Sequence, residues 1–559
     1  MSTNSDRNAA DIVGPFKPGQ PPMATGWPGV NHHTVEDGSL LIERDVPVTM
    51  RDGVDIRVDV FRPRDLSTDL PVLMAWAPYG KHGGLMWDTP FFRGYDLGFD
   101  TTLLSKYTPF EYPDPVWWCA RGYAVVFADM RGTWGSDGDA AYWSQQEAHD
   151  GYDTVEWAAA QPWSNGKVGL IGCSNLAWAQ WYIAATQPPH LAAINPWEGV
   201  SDFYREFAFH GGIPETNFVA AWHMLASFSR NQVEDIPAAA AAHPLLDEYW
   251  AAKGADLSKI EVPAFVAASW SDHGLHTRGT LEGYRRISSK HKWLLVHGGK
   301  KWAAQYSPEN LERQLAFFDR FVKNVDRTPV DEWPPVVIEV RNSISGGVFR
   351  DENEWPLQRT RYQKLFLTGD AALDYTQPTH TGVIRYDGAC GRAMFDLTFD
   401  RATELTGYMA LRLWFSAEVA SDADIFVAVQ KLDASGVEVP FHFFAVQEDG
   451  HVALGWLRAS HRELDLHRST PAQPVHTHRS VEPLPAGGEP VPLDIEIWPS
   501  STVFEAGETL RLVIQGRDIN SYAPMTPTSA HDSRNNGAHR IHTGGRYDSH
   551  LLVPVIPTS

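Results

Sequence analysis

Cysteine is scarce in this chain, with 3 among 559 residues, at Cys119, Cys173 and Cys390. An odd number so widely spaced makes no disulfide framework and fits a reducing compartment, so a cytoplasmic location is expected. Positive charge is short as well: 47 Lys and Arg stand against 69 Asp and Glu, a formal net charge of -22. So acidic a surface repels phosphate backbones and anionic lipid, which argues against nucleic-acid and membrane partners. Long apolar runs are missing too. The stretch Met1 to Gly29 is polar and rich in Pro and Gly, and reads as a surface arm rather than a signal peptide or a membrane span. There is no fixed-period repeat and no Walker loop. The glycine-rich run Arg131 to Gly138 is not followed by the helix-opening pattern of a dinucleotide site. The expectation is an unassisted protein, with no metal and no cofactor, acting on a small molecule; homo-oligomerisation stays open.

Apolar residues make up 43% of the chain, enough for packed cores, and the length is too great for one ordinary core. Leu40 to Met50 and Val54 to Phe61 alternate around Asp52-Gly53 and predict a hairpin. Short buried strands are then expected at Pro71 to Trp76, Ala124 to Asp129, Val168 to Ile171 and Leu191 to Asn195, with helices between them. That alternation means parallel β-α units, where function collects at the carboxyl ends of the strands. Asp202 to Lys259 turns helical and alanine-rich and reads as a cap. Strands resume at Val262 to Ala268 and Lys292 to Val296, and Glu309 to Val322 is the last helix. Beyond the proline-rich linker Asp326 to Pro335, short strands separated by turn signals indicate a jelly-roll sandwich. The expected fold is an α/β-hydrolase domain (residues 36–201 and 261–325) with a helical cap insertion (202–260). An N-terminal arm (1–35) precedes it and a C-terminal jelly-roll β-sandwich (336–559) follows.

The chemistry begins at Gly172-Cys173-Ser174, between a buried strand and a helix. A serine on such a corner exposes its hydroxyl and is ringed by backbone N–H groups. The triplet alone is weak, since a serine before a helix is also an ordinary N-cap. The order of the partners is stronger. Serine needs a base and an acid to orient it, and in α/β-hydrolases these follow as acid, then histidine, each after a late strand. Here Ser174 is followed by Asp272 and His297. Rival bases are His273 and His276 on the acid's own loop, and Lys301. The expected activity rises with pH through one ionisation near neutrality.

These residues resemble the CocE/NonD hydrolases, the group of cocaine esterase, X-prolyl dipeptidyl-peptidases and α-amino-acid ester hydrolases. Ala77-Pro78-Tyr79-Gly80-Lys81 is similar to the family's Pro-Tyr-x-Lys loop. Asp129 to Gly138 is similar to its Asp-x-Arg-Gly-x-Gly-x-Ser-x-Gly segment, and Ser269-Trp270-Ser271-Asp272 to its acid segment. Gly455 to His461 and Ile541 to Gly545 resemble phrases of its sandwich. The resemblance implies a serine esterase or amidase working through an acyl-enzyme, with the oxyanion held by the Tyr79 hydroxyl and the Asn175 N–H. It also places the base in a loop a few residues past the last strand, where this chain has a lysine in His297-Gly298-Gly299-Lys300-Lys301-Trp302.

Trp76, Trp178, Trp197 and Trp270 flank these positions. Trp178, Trp197, Trp270 and His276 are the expected substrate-binding residues. His531, His539, His542 and His550 crowd the C-terminus without any ligand spacing of a metal site. Two alternatives stand beside the esterase. One is a dipeptidyl-peptidase, which needs a carboxylate for the substrate's amino terminus, with Glu206 and Glu215 as candidates. The other is a catalytically silent binding protein on the same fold.

Overall fold

The computed structural model describes residues 14–66, 68–82, 87, 92, 94–524 and 526–557. The expected arm lies partly outside these residues, in 1–13; its described part includes Phe16–Pro18, which pairs with Gln232–Glu234.

The first sheet is built from β1 (His33–Asp37), β2 (Leu40–Thr49), β3 (Asp55–Pro63), β4 (Leu70–Ala77), β5 (Ala124–Asp129), β6 (Ser164–Cys173), β7 (Leu191–Trp197), β8 (Ala264–Ser269), β9 (Lys292–His297) and β10 (Val336–Arg341). β1 to β3 form an antiparallel meander, and β3 pairs antiparallel with β5. From β5 the order runs β5-β4-β6-β7-β8-β9-β10, all parallel. β4, β5 and β8 are buried along their whole length, as befits strands covered on both faces. Helices α1 (Gln145–Ala159), α2 (Asn175–Ala185), α3 (Thr277–Arg286) and α4 (Pro308–Phe321) supply most of the cover. β10 departs from the expected domain boundary. The sequence assigned Val336 to Val340 to the sandwich, yet these residues extend the first sheet by parallel pairing with β9.

The insertion between β7 and β8 carries short helices at Phe218–Ala226, Ile236–Ala242 and Glu248–Ala252, as a cap should. It also holds a two-residue hairpin, Phe209–His210 with Ile213–Pro214, which a helical reading does not contain. Such brief strands leave no periodicity to read.

The second unit is an antiparallel sandwich. Thr403–Ala417 pairs with Val491–Phe504 on one side and with Ala538–Thr543 and His550–Ile556 on the other. Asp424–Leu432 pairs with Ala453–Arg458 and Thr509–Gln515. Leu411, Leu413 and Phe415 alternate inward to meet Leu493, Ile495, Ile497 and Leu512 in one core. Tyr408, Phe426, Trp456 and Trp498 instead join the core of the hydrolase unit, so the two units share a packed face. Among the described residues no helix is long and apolar enough to cross a membrane.

Candidate active site

Ser174 follows β6 at the N-cap position of α2, makes no side-chain cap bond, and has φ 56 and ψ -119, a strained conformation for a non-glycine residue. Its N–H donates to the Trp197 carbonyl (2.9 Å), tying the corner to the end of β7. Gly172 has φ +143, and a Cβ there would lie 2.4 Å from Leu176 Cβ. Leu176 stands where a small residue is usual, and Gly172 makes the room. Ala177 packs against Gly199, where an added Cβ would come to 3.0 Å.

The Ser174 hydroxyl meets His276 and not His297. Ser174 Oγ lies 3.2 Å from His276 Nε2, and His276 Nδ1 lies 2.5 Å from Asp272 Oδ2. The loop after β8 therefore supplies both acid and imidazole, four residues apart. His276 N–H donates to the Asp272 carbonyl (3.1 Å), so one helical turn stacks the two side chains on one face. Gly274, at φ +87, lets the loop close. The expected base, His297, ends β9 with Nε2 3.1 Å from Glu198 Oε1 and is spent on that partner. His276 is likewise not a pocket-lining residue as expected, but the link between Ser174 and Asp272. His273, the other rival, accepts from Leu454 N–H (3.1 Å). A Asp-x-x-x-His spacing opening a helix was the signal in the sequence for this arrangement.

Lys301 comes in from the β9 side. Its Nζ is 3.1 Å from Asp272 Oδ2 and 3.1 Å from His276 Nδ1. Burial would raise the pKa of Asp272, but the Lys301 ammonium and His276 hold it well below the usual carboxylate range. Burial, reinforced by Lys301 and opposed by Asp272, pushes His276 down to about 4. Glu198, Asp272 and His276 each bring a ligand atom within 4.8 Å of the others, a spacing that suits a cation. The Lys301 ammonium already bonds Asp272 in that cluster.

Tyr79 reaches the same point from the end of β4. Tyr79 and Ser174 line one cavity, and the Tyr79 hydroxyl accepts from Trp222 Nε1 (3.0 Å). Burial raises its pKa well above the ordinary phenol range, so it remains a donor. Asn175 opens α2, where first-turn N–H groups have no helical acceptor. The Tyr79 loop is pinned by Lys81, wholly buried, whose Nζ bonds Asp45 and lies 3.1 Å from Asp59 and 3.6 Å from Asp129. Gly80, at φ +92, passes so close to Trp134 that a Cβ would lie 2.5 Å from the indole. The two sequence motifs are thus one structural device. Lys81→Met leaves buried Asp45 and Asp129 without their cation, while Asp59 keeps Arg44, and should destabilise the fold by about 3–5 kcal/mol. Urea denaturation checks this, and a loss under about 1 kcal/mol would show the cluster to be dispensable.

A small cavity opens at Ser174, about 40 Å³, lined by Tyr79, Phe110, Trp222, Leu275, Trp302 and Phe444 among others. Phe444 and Ala445, both with positive φ, come from the sandwich, and Phe444 N–H donates to the Ser271 carbonyl (2.8 Å). The expected pocket tryptophans lie elsewhere. Trp178 packs behind His276, ring centroids 5.7 Å apart. Trp197 donates to Asn195 Oδ1, and Trp270 to the Glu339 carbonyl. Trp76 donates to Glu147. All four are buried core residues, Trp76 and Trp197 on strands β4 and β7, Trp178 on α2 and Trp270 just past β8. Trp222 and Trp302 take the lining role. Glu111, which sequence reasoning missed, also lines the cavity. Oε1 accepts from Trp302 Nε1 (3.1 Å) while Oε2 has no hydrogen-bond partner among the described residues, and burial pushes the carboxyl up to about 8.

A serine on a strand-to-helix corner, bonded to a histidine that is bonded to a buried aspartate, on this sheet, defines a serine hydrolase of the α/β-hydrolase fold. The X-Pro dipeptidyl-peptidase (S15 family) model matches residues 52–300, and the X-Pro dipeptidyl-peptidase C-terminal non-catalytic domain matches residues 328–552. A crystal structure of a CocE/NonD family hydrolase from Staphylococcus aureus is 40% identical, with a TM-score of 0.88, covering 94% of this chain and 97% of that one. Cocaine esterase of Rhodococcus sp. (strain MB1 Bresler) is 24% identical over 93% of this chain and 99% of that protein. An α-amino acid ester hydrolase shares the fold, with a TM-score of 0.70 at 16% identity over 96% of this chain and all of that one. The chain belongs to the CocE/NonD family of hydrolases.

Proposed function

We propose that this hydrolase cleaves small carboxylic esters through an acyl-enzyme on Ser174, with His276 as base and Asp272 as the orienting acid. The observation that carries the roles is the Ser174–His276–Asp272 chain of hydrogen bonds at 3.2 and 2.5 Å. His276 Nε2 takes the Ser174 proton as Oγ attacks the acyl carbon, and delivers it to the leaving oxygen. Water then repeats the cycle on the acyl-enzyme. The Tyr79 hydroxyl and Asn175 N–H receive the oxyanion.

An ester is favoured over a dipeptide because the carboxylates offered for an amino terminus are already engaged. Glu206 accepts from Arg278, Ser201 N–H and Asp202 N–H. Glu215 accepts from the N–H groups of Asn217, Phe218, Val219 and Ala530. The small, largely apolar cavity suits a short acyl chain. The half-free carboxyl of Glu111 supports a second reading, in which the acyl group carries an amine. Rates on p-nitrophenyl esters of short acids, set against amino-acyl p-nitroanilides, test the first reading. Faster turnover of the anilides would overturn it, and a Glu111→Gln variant that loses only amine-bearing substrates would establish the second. The unpaired cysteines support a cytoplasmic location.

Tyr79→Phe is expected to lower kcat by about 10²–10³ with little change in KM, since the hydroxyl acts chiefly on the transition-state oxyanion. Steady-state kinetics check this, and an unchanged kcat would assign Tyr79 to packing.

A further inference from the structure

Lys301 stands in the loop where the family resemblance places the base histidine, yet its side chain is neither solvated nor remote. It opens the short helix Lys301–Gln305 and is 5% exposed. Its Nζ sits 3.1 Å from Asp272 Oδ2 and 3.1 Å from His276 Nδ1. When His276 turns its Nε2 lone pair to Ser174, Nδ1 carries the hydrogen. Nδ1–H and the ammonium then share one acceptor, Asp272 Oδ2. Two donors on one oxygen hold the acid ionised and leave the ring no acceptor-seeking alternative on that side.

We propose that Lys301 is a positioning residue of the triad, a fixed cation that keeps His276 neutral until attack and then favours release of its proton to the leaving group. This inference rests on His276 being the base. The imidazolium formed as Ser174 gives up its proton lies against a permanent ammonium in a buried site, and like charges so placed repel. Proton transfer from serine is made harder and transfer to the leaving oxygen easier; the proton taken from Ser174 is the one delivered, and Lys301 gives up none. The neighbours on every side are accounted for. Asp272 and His273 share the ring's own loop, Ser174 faces it from the elbow, and Glu198 comes from the end of β7 bonded to His297 of β9. Glu198, Cys173 and Glu111 act on Lys301 as well as Asp272. Burial raises both Glu198 and Glu111, the latter to about 8, whereas Lys301 and His276 hold Asp272 below the usual carboxylate range, so Asp272 is the acid held most firmly ionised beside Lys301.

The test is the pH dependence of kcat/KM for the wild type, Lys301→Gln, Lys301→Met and His276→Ala on one p-nitrophenyl ester. Ser174 labelling by a fluorophosphonate after brief pH jumps gives a second readout. The wild-type acid limb should fall below about pH 5.5, a unit under free imidazole. Either lysine variant should move it up by about one unit or more. Lys301→Gln, which keeps a donor for Asp272, should retain more activity than Lys301→Met. A uniform loss at all pH with the acid limb unmoved would overturn the inference, since packing alone does that. If neither variant folds, a wild-type acid limb near the value for free imidazole overturns it. Should His276→Ala remain active, it is the base assignment that fails instead.

Discussion

His276→Ala should lower kcat by about 10⁴–10⁶, to the level of Ser174→Ala, and the double variant should fall no further. Residues that act as one unit lose their whole effect at the first deletion, because a serine without a base and a base without a serine are equally idle. The residual rate in all three would come from the oxyanion donors and binding. His276 is wholly buried, so truncation also leaves a void; circular dichroism and thermal melts separate that from catalysis. His297→Ala supplies the contrast. Its ring bonds Glu198 and makes no hydrogen bond to Ser174 among the described residues, so kcat should stay within about tenfold. If His297→Ala collapsed while His276→Ala kept a tenth of the rate, the base would lie on β9 after all.

Why the sequence pointed to His297 has a physical answer. The elbow is local: Gly172, Ser174 and the helix after them are fixed by sterics within a few residues, and strand, turn and helix were all legible there. The acid was legible for the same reason, at the end of the buried run Ala264–Ser269. The base is a tertiary matter. Three histidines, His273, His276 and His297, and Lys301 all follow or end the late strands, and only side-chain direction separates them. His276 shares a helical turn with Asp272, whereas His297 is drawn off by Glu198, a residue whose positive φ aims it into the site and which no motif marks. The tryptophans were misplaced on similar grounds: proximity in sequence to site residues says nothing about which side of the sheet a ring occupies. The sandwich was legible as alternating strands, but its Phe444–Ala445 turn, which walls the cavity, sits in left-handed conformations that residues of these types do not announce.

Asp272→Asn should lower kcat by about 10⁴. In many triads the reason given is the wrong tautomer, but here charge adds to it. Asp272 Oδ2 accepts from both His276 and Lys301, whose nitrogens are 3.1 Å apart. With a neutral amide in place of the carboxylate, the imidazolium formed during attack faces the Lys301 ammonium with no ionised partner between them. The barrier therefore rises for the step that protonates His276, and KM should change little, since nothing in this cluster but Lys301 lines the cavity. It follows that removing the second cation should undo part of the damage. Asp272→Asn combined with Lys301→Gln should be about tenfold more active than Asp272→Asn alone, an inversion that additive losses cannot produce. Steady-state kinetics on the three variants, with folding checked by circular dichroism, decide it. Glu198 is the rival acid, with a carboxylate oxygen within 4.8 Å of the His276 ring nitrogen. If Asp272→Asn stayed within tenfold of wild type and Glu198→Gln collapsed, the orienting acid would be the one at the end of β7.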